Sequence, residues 1–244
     1  MRSYEKTIFL YNDEIGSVSL VDYMGSDITV VNSARVSFGV QKSDLDGRDK
    51  RLINYLIKHK HTSTLEHNIV TFKFVVPLFV RSQHHRHRTW SYNEISRRYT
   101  DKDMQFYEPE GFRTQHKSNR QASNPDEIIN PSFSRYETIG SLVPVSYPKA
   151  TEIVRDHHKN SLKLFEKLIS NGVCREQARG VLPQNLYTEY YGTVNLNNLL
   201  KFIDLRTHEG AQWEIQQAAM ACLEIATDLW PVTVESYRKL RGGI

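Results

Sequence analysis

The sequence predicts an α+β fold, a central and mainly antiparallel sheet flanked by helices. Two apolar runs supply the strands. Ile69-Val70-Thr71-Phe72-Lys73-Phe74-Val75-Val76 is rich in β-branched and aromatic residues, and Tyr187 to Val194 repeats that composition. Longer segments supply the helices, with apolar residues at helical spacing in 44–58, 151–170 and 211–230. The 244 residues, 39% hydrophobic and 25% charged, suffice for one large domain with its own core, read here as 1–244.

In chain order, Val18 to Val31 is a set of short apolar pieces broken by Gly25 and Asp27: a strand, a turn and a helix start. Asp44 to Lys58 places Leu52, Ile53, Leu56 and Ile57 on one helical face, with acids early and lysine late, as the helix dipole prefers. Pro77 ends the first strong strand or opens a helix that carries Phe79, Val80 and Gln83 towards an arginine-rich stretch. From 100 to 148 Asn, Ser, Pro and Gly become frequent and apolar periodicity is lost. A long, partly irregular excursion is expected there, with Tyr107, Phe112, Phe133 and Tyr136 as possible anchors. Thr151 to Ser170 is a helix with Ile153, Val154, Leu162, Phe165, Leu168 and Ile169 on its apolar face, stopped by Asn171-Gly172. Arg175 to Val181 is a short helix ended by Pro183. Asn195 to Leu205 is another, and Ala211 to Trp230 a long one stopped by Pro231. No internal repeat is visible.

The chemistry concentrates in one place. Between Arg81 and Arg98 stand five arginines and three histidines against a single acid, Glu94, with no lysine, and this stretch accounts for the whole formal net charge of +4. Arginine is a planar fork of donors that stays charged, and several forks around a Glu-x-Ser make an anion cradle able to bind phosphate or carboxylate in bidentate fashion. The histidines His84, His85 and His87 have arginines for neighbours rather than carboxylates at helical spacing, so no metal site is expected. Trp90 and Tyr92 could serve as stacking platforms for RNA or DNA. One dense cluster with Glu94 and Ser96 inside it fits a pocket for a single nucleotide better than a groove for a strand. No apolar run approaches a membrane span, and Met1 to Lys6 has no signal-peptide pattern. Two distant cysteines, Cys174 and Cys222, indicate neither a disulfide framework nor zinc. A cytoplasmic protein is expected, with no nucleic-acid or membrane partner.

The spacing Arg86-His87-Arg88, seven residues, Ser96 matches a signature of the flavin-dependent thymidylate synthases (the ThyX family), and the likeness runs along most of the chain. It takes in Ala34-Arg35-Val36-Ser37-Phe38, His61-Thr62-Ser63-Thr64-Leu65-Glu66-His67 and Arg179-Gly180-Val181-Leu182-Pro183. Thr193-Val194-Asn195, Leu205-Arg206 and Ala211-Gln212-Trp213-Glu214-Ile215-Gln216 follow in order. The resemblance implies a ThyX-like fold and a homotetramer with shared active sites. It implies conversion of dUMP to dTMP, with the methylene from methylenetetrahydrofolate and the hydride from NADPH by way of FAD. Gln83, Arg86, Glu94, Ser96, Arg97, Arg98 and Arg179 would surround dUMP, and Arg206 would face the pyrimidine edge as the catalytic residue. His61, Ser63, Arg86, His87, Arg88, Glu94 and the Asn195-Leu196-Asn197 turn would hold FAD, with Lys201 on the helix that follows. Lys201 stands where the family pattern has asparagine, and Gly210 where some relatives have histidine. Cys222 sits in an apolar helical stretch and Cys174 at a surface helix start, so neither is a good thiolate nucleophile of the kind conventional thymidylate synthases use. The other class of function compatible with the cradle is a nucleotide- or RNA-binding module without redox chemistry, which would carry no flavin.

Overall fold

A computed structural model describes residues 6–133 and 147–241 of the chain, and these form two compact units. In chain order the elements are β1 (Thr7–Phe9), β2 (Ser17–Met24), α1 (Asp27–Arg35), α2 (Gly47–Lys58), β3 (Ile69–Pro77), α3 (Leu78–His84) and β4 (Ser91–Glu94). There follow β5 (Phe112–Gln115), β6 (Ser123–Ile129), α4 (Ala150–Ser170), α5 (Arg175–Ala178), β7 (Tyr187–Asn195), α6 (Leu196–Arg206), α7 (Trp213–Leu229) and α8 (Pro231–Arg241). Short 3-10 turns at Val36–Phe38, Thr62–Leu65 and Arg179–Val181 complete them. None of the described helices is long and apolar enough to cross a membrane.

The first unit holds residues Val80–Glu94 and Glu189–Ile244 together with the chain up to Val76. Its five-stranded sheet has the order β1-β2-β3-β7-β4, with β1–β2, β2–β3 and β4–β7 paired antiparallel, as the expected fold class requires. The centre of the sheet is where the sequence is most apolar. In β3 every second side chain is buried, Val70, Phe72, Phe74 and Val76, because side chains alternate faces along a strand. Tyr190 and Val194 do the same on β7, where Phe74 stacks on Tyr190 with ring centroids 5.1 Å apart. Helices cover this face. Leu199, Leu200, Phe202 and Ile203 of α6 and Ile215, Ala218, Ala219, Cys222 and Ile225 of α7 are all buried.

Asn68 ties the unit together ahead of β3. Its carbonyl accepts Leu196 N at 2.9 Å, fixing the start of α6, and its Oδ1 accepts the buried Trp230 Nε1 at 3.1 Å. Gly25 passes so close to Asn68 that a Cβ there would stand 2.1 Å from Oδ1, and its φ of +88° lies in the region that favours glycine. Pro231 does not simply stop a helix, as the sequence suggests. α7 ends at Leu229 and Pro231 opens α8, where its missing N–H is no loss. The next two donors of α8 go to Asp27, whose carboxylate accepts Val232 N at 3.0 Å and Thr233 N at 2.9 Å, with the Thr233 hydroxyl at 2.6 Å.

The second unit comprises Pro77–Phe79 and Ile95–Thr188. The excursion expected at 100–148 contains a two-stranded antiparallel hairpin, β5 with β6. Of its expected anchors Tyr107 is buried, Phe112 half-buried and Phe133 exposed, while Tyr136 lies outside the described residues. On α4 the buried face is Ala150, His158, Ser161 and Phe165, and Ile153 is exposed instead. The periodicity there tracks a polar contact: His158 stacks on Phe106 at 4.7 Å and bonds Glu108 at 3.1 Å.

Candidate active site

The arginine-rich stretch begins where α3 ends, and a buried histidine shapes the turn. His84 is 2% exposed, packed among Phe74, Trp90 and Phe202, with Nδ1 2.8 Å from the Tyr190 hydroxyl. Burial is the first cause holding its pKa well below the ordinary histidine value. The Tyr92 hydroxyl then donates to the carbonyls of His84 and His87, at 3.0 and 3.1 Å, and so closes the turn. With the backbone fixed, the Arg86 and Arg88 side chains are exposed and His87 is half-buried. Trp90 is buried in the core, where it cannot offer a stacking platform.

Arg206 closes α6 and reaches the turn. Its Nε donates to His87 Nε2 at 3.1 Å and its Nη2 to the Gln83 carbonyl at 3.0 Å. Nη1 has no partner among the described residues, so the guanidinium is held along one edge and open along the other. Because Nε–H can only donate, His87 Nε2 is the unprotonated nitrogen and the ring is neutral. Burial, then the Arg206 charge, pushes the His87 pKa down to about 4, in agreement. Gln83 itself donates through Nε2 to Gln212 Oε1 at 2.5 Å, and Gln212 Nε2 donates to Glu214 at 2.9 Å. Glu94, on β4, pairs with Arg81 Nε at 3.2 Å. Arg81, Gln212 and Glu214 were absent from the expected site. The segment Ala211-Gln212-Trp213-Glu214 was a signal in hand, but spacing alone says nothing of the contact with Gln83.

A cavity of about 480 Å³ lies in the same unit, lined by Ser33, Ala34, Ser37, Lys60, His61 and Ser63 among others. It brings together two of the distant sequence pieces, those beginning at Ala34 and His61. His61 and Ser63 are exposed at its wall. The start of α6 is tied to the same region through Asn197, whose Nδ2 donates to Glu66 at 2.9 Å. Leu196 and Asn197 are buried, Asn195 caps α6 by accepting Asn198 N at 3.0 Å, and Lys201 is exposed. Of that set only Asn195 and Lys201 have accessible side chains.

The remaining expected residues are in the second unit. Ser96 Oγ accepts Arg98 N at 3.3 Å, which makes it part of a local turn. Arg97 is half-buried and donates to the Lys102 carbonyl at 2.7 Å. Arg98 is exposed and lies 5.3 Å from the Tyr99 ring centroid, and Arg179 is exposed. Cys174 is exposed at the start of α5, and Cys222 is fully buried, which pushes its thiol pKa far up.

The family described as "Thymidylate synthase complementing protein" matches residues 19–232. The chain is 42% identical over 226 residues to a flavin-dependent thymidylate synthase of Thermus thermophilus, spanning 92% of this chain and 76% of that one. It is 39% identical to the flavin-dependent thymidylate synthase of Thermotoga neapolitana, spanning 92% and 91%. The chain belongs to the flavin-dependent thymidylate synthase family. The fold agrees: a solved UMP/dUMP methylase PolB from Streptomyces cacaoi, bound with 5-Br dUMP, superposes with a TM-score of 0.75 at 31% identity. That match covers 95% of this chain and 97% of the other.

A flavin dinucleotide asks for donors to its ring and sugar edges and for positive charge at its pyrophosphate. The hydroxyl-lined cavity at Ser33, Ser37, Thr62 and Ser63 and the exposed guanidinium groups of Arg86 and Arg88 supply those two requirements in one unit, so the residues present fit such a group.

Proposed function

We propose that this member of the family converts dUMP to dTMP, with FAD as cofactor and with methylenetetrahydrofolate and NADPH as cosubstrates, in the cytoplasm. The observation that carries this reading is the held, half-open guanidinium of Arg206. Attack at C6 of a uracil ring puts negative charge on C5 and O4, and a cation held at the O2/N3 edge stabilises the electron-rich ring through its field. A donor already oriented there stabilises it without reorganising during the reaction. Two bonds fix Arg206, and the neutral His87 fixes it without adding a second positive charge. His61, Ser63, Arg86, Arg88, Asn195 and Lys201 would hold FAD, which supplies the redox chemistry when bound.

The exposed guanidinium groups of Arg98 and Arg179 would bind the phosphate. Binding there fixes the base, so the reaction becomes effectively unimolecular. Nucleophilic catalysis by the protein finds no support: Ser96 is engaged in its turn and Cys222 is buried with a raised pKa. We place the active sites in a homotetramer, each drawing residues from more than one copy of the chain.

The test is direct. The purified protein should be yellow, with flavin near-stoichiometric to the chain, and its reduced flavin should be reoxidised by methylenetetrahydrofolate only when dUMP is present. A colourless protein that binds dUMP would instead favour a nucleotide-binding module. Arg206→Lys should keep fold and flavin but lose turnover by ~10²–10³, because a point charge replaces a planar fork. Near wild-type turnover at saturating dUMP would remove Arg206 from the mechanism.

A further inference from the structure

Resting on that reading of the substrate, we infer that Glu214 and Gln212 are positioning residues that set the direction of the Gln83 amide. Gln83 then presents its oxygen to the bound nucleotide and recognises a hydrogen-bond donor on it.

In this chain of bonds only Glu214 has a role with no alternative. A carboxylate only accepts, whereas a glutamine amide has one accepting and one donating end of nearly the same shape. Glu214 is 4% exposed in the first turn of α7, and its Oε2 stands 2.9 Å from Gln212 Nε2. Gln212 must therefore turn its NH₂ towards Glu214 and its Oε1 towards Gln83, where it accepts Gln83 Nε2 at 2.5 Å. The direction passes on: Gln83 is left with Oε1 outward, and that oxygen has no partner among the described residues. The Gln83 carbonyl meanwhile accepts Arg206 Nη2 at 3.0 Å, so the glutamine lies beside the guanidinium proposed to face the base.

Arginine offers donors only. A nucleotide brings donors of its own to such a site, the uracil N3–H and the 3′-hydroxyl, and an all-donor wall would leave them unpaired. Gln83 Oε1 is the acceptor this corner of the site needs. A flipped amide would set donor against donor.

Glu214→Gln is nearly isosteric and removes the constraint, since an amide at 214 can either accept or donate. Calorimetry on the flavin-loaded protein, wild type and E214Q, would compare dUMP with two analogues, N3-methyl-dUMP and 2′,3′-dideoxyuridine monophosphate. The expected result is about tenfold weaker dUMP binding by E214Q with an unchanged melting temperature. The one analogue that lacks the recognised donor should bind both proteins alike, which also says which donor it is. Gln212→Leu should reproduce that pattern. Unchanged dUMP affinity, or equal weakening of all three ligands, overturns the inference. A second readout needs no ligand: the side-chain NH₂ resonances of Gln83, in ¹⁵N-labelled protein, should shift in E214Q, the change passing through Gln212. An unmoved Gln83 signal overturns the relay. If wild type ignores dUMP, the substrate reading fails on its own, and the Gln83 resonances still decide the relay.

Discussion

Lys60 and Gly172 occupy the same place in two helices. At the end of α4, Gly172 takes φ +87°, Gly172 N bonds the Ile169 carbonyl at 3.0 Å and Val173 N the Leu168 carbonyl at 2.9 Å. At the end of α2, Lys60 takes φ +57°, with matching bonds from Lys60 N to Ile57 and from His61 N to Leu56, at 3.1 and 2.8 Å. Glycine suits this position and lysine strains it. Lys60→Gly should therefore raise stability by ~1 kcal/mol, read as a higher denaturation midpoint at unchanged slope. Lys60 lines the cavity beside His61, so the same variant should lose flavin if the lysine is kept for the ligand; a midpoint that does not rise would refute the strain. His87 gives a pH prediction. Its pKa falls from 6.5 unfolded to about 4 folded, so between those values the unfolded chain binds more protons. Its contribution is complete above about 6.5 and is lost as pH falls towards about 4. His87→Gln, which keeps an acceptor for Arg206, should flatten part of that acid loss, His84 and His85 shifting in the same direction and keeping the rest. Identical pH profiles for the two proteins would show that His87 does not titrate as described. At this scale the sequence named Gln83, His87 and Arg206 because they stand in or beside short motifs. It hid Gln212 and Glu214, because an amide's partner 129 residues away is set by packing.

The elements that could be read were those with a long periodic signal, and those that could not were short or masked by other chemistry. β4 has four residues inside the arginine signature, with alternate exposure but no apolar pattern, and β6 is exposed along most of its length. Neither buries enough apolar surface to leave a trace in composition. α8 was hidden differently, since a proline after a helix reads as a stop and equally well as a first helical residue. What decides between the two is Asp27, 205 residues upstream, whose buried carboxylate takes the donors of the new helix. Asp27→Ala removes all of these bonds and leaves buried donors without partners. The cost should reach or exceed the ~2 kcal/mol at the upper end for helix caps. Asp27→Asn, keeping one acceptor oxygen, should cost less. Equal stabilities for wild type and D27A in chemical denaturation would show that α8 stands without its cap.

For the whole molecule, the family was legible because its signature is dense and its other motifs recur in order, whereas assembly leaves no such mark in one chain. The phosphate end of the proposed site makes a prediction about ligands. Exposed arginines that bind a dianion stabilise the fold by mass action, ~2.7 kcal/mol at a hundredfold excess over Kd. dUMP should therefore raise the melting temperature clearly and deoxyuridine much less, and equal shifts would defeat the phosphate role. The same arginines test the assembly. Arg98 belongs to the second unit and Arg206 to the first, and if one active site takes them from different copies, neither chain needs both. Arg98→Ala and Arg206→Ala proteins, each inactive alone, should then recover part of the activity when dissociated and reassembled together. Random mixing returns some sites that hold both native arginines, one from each kind of chain, and the rest stay dead. Sites built from a single chain give no recovery, since every chain in the mixture is defective. Absence of activity in mixed oligomers verified by mass would therefore reject the shared site while leaving the chemistry assigned to Arg206 intact.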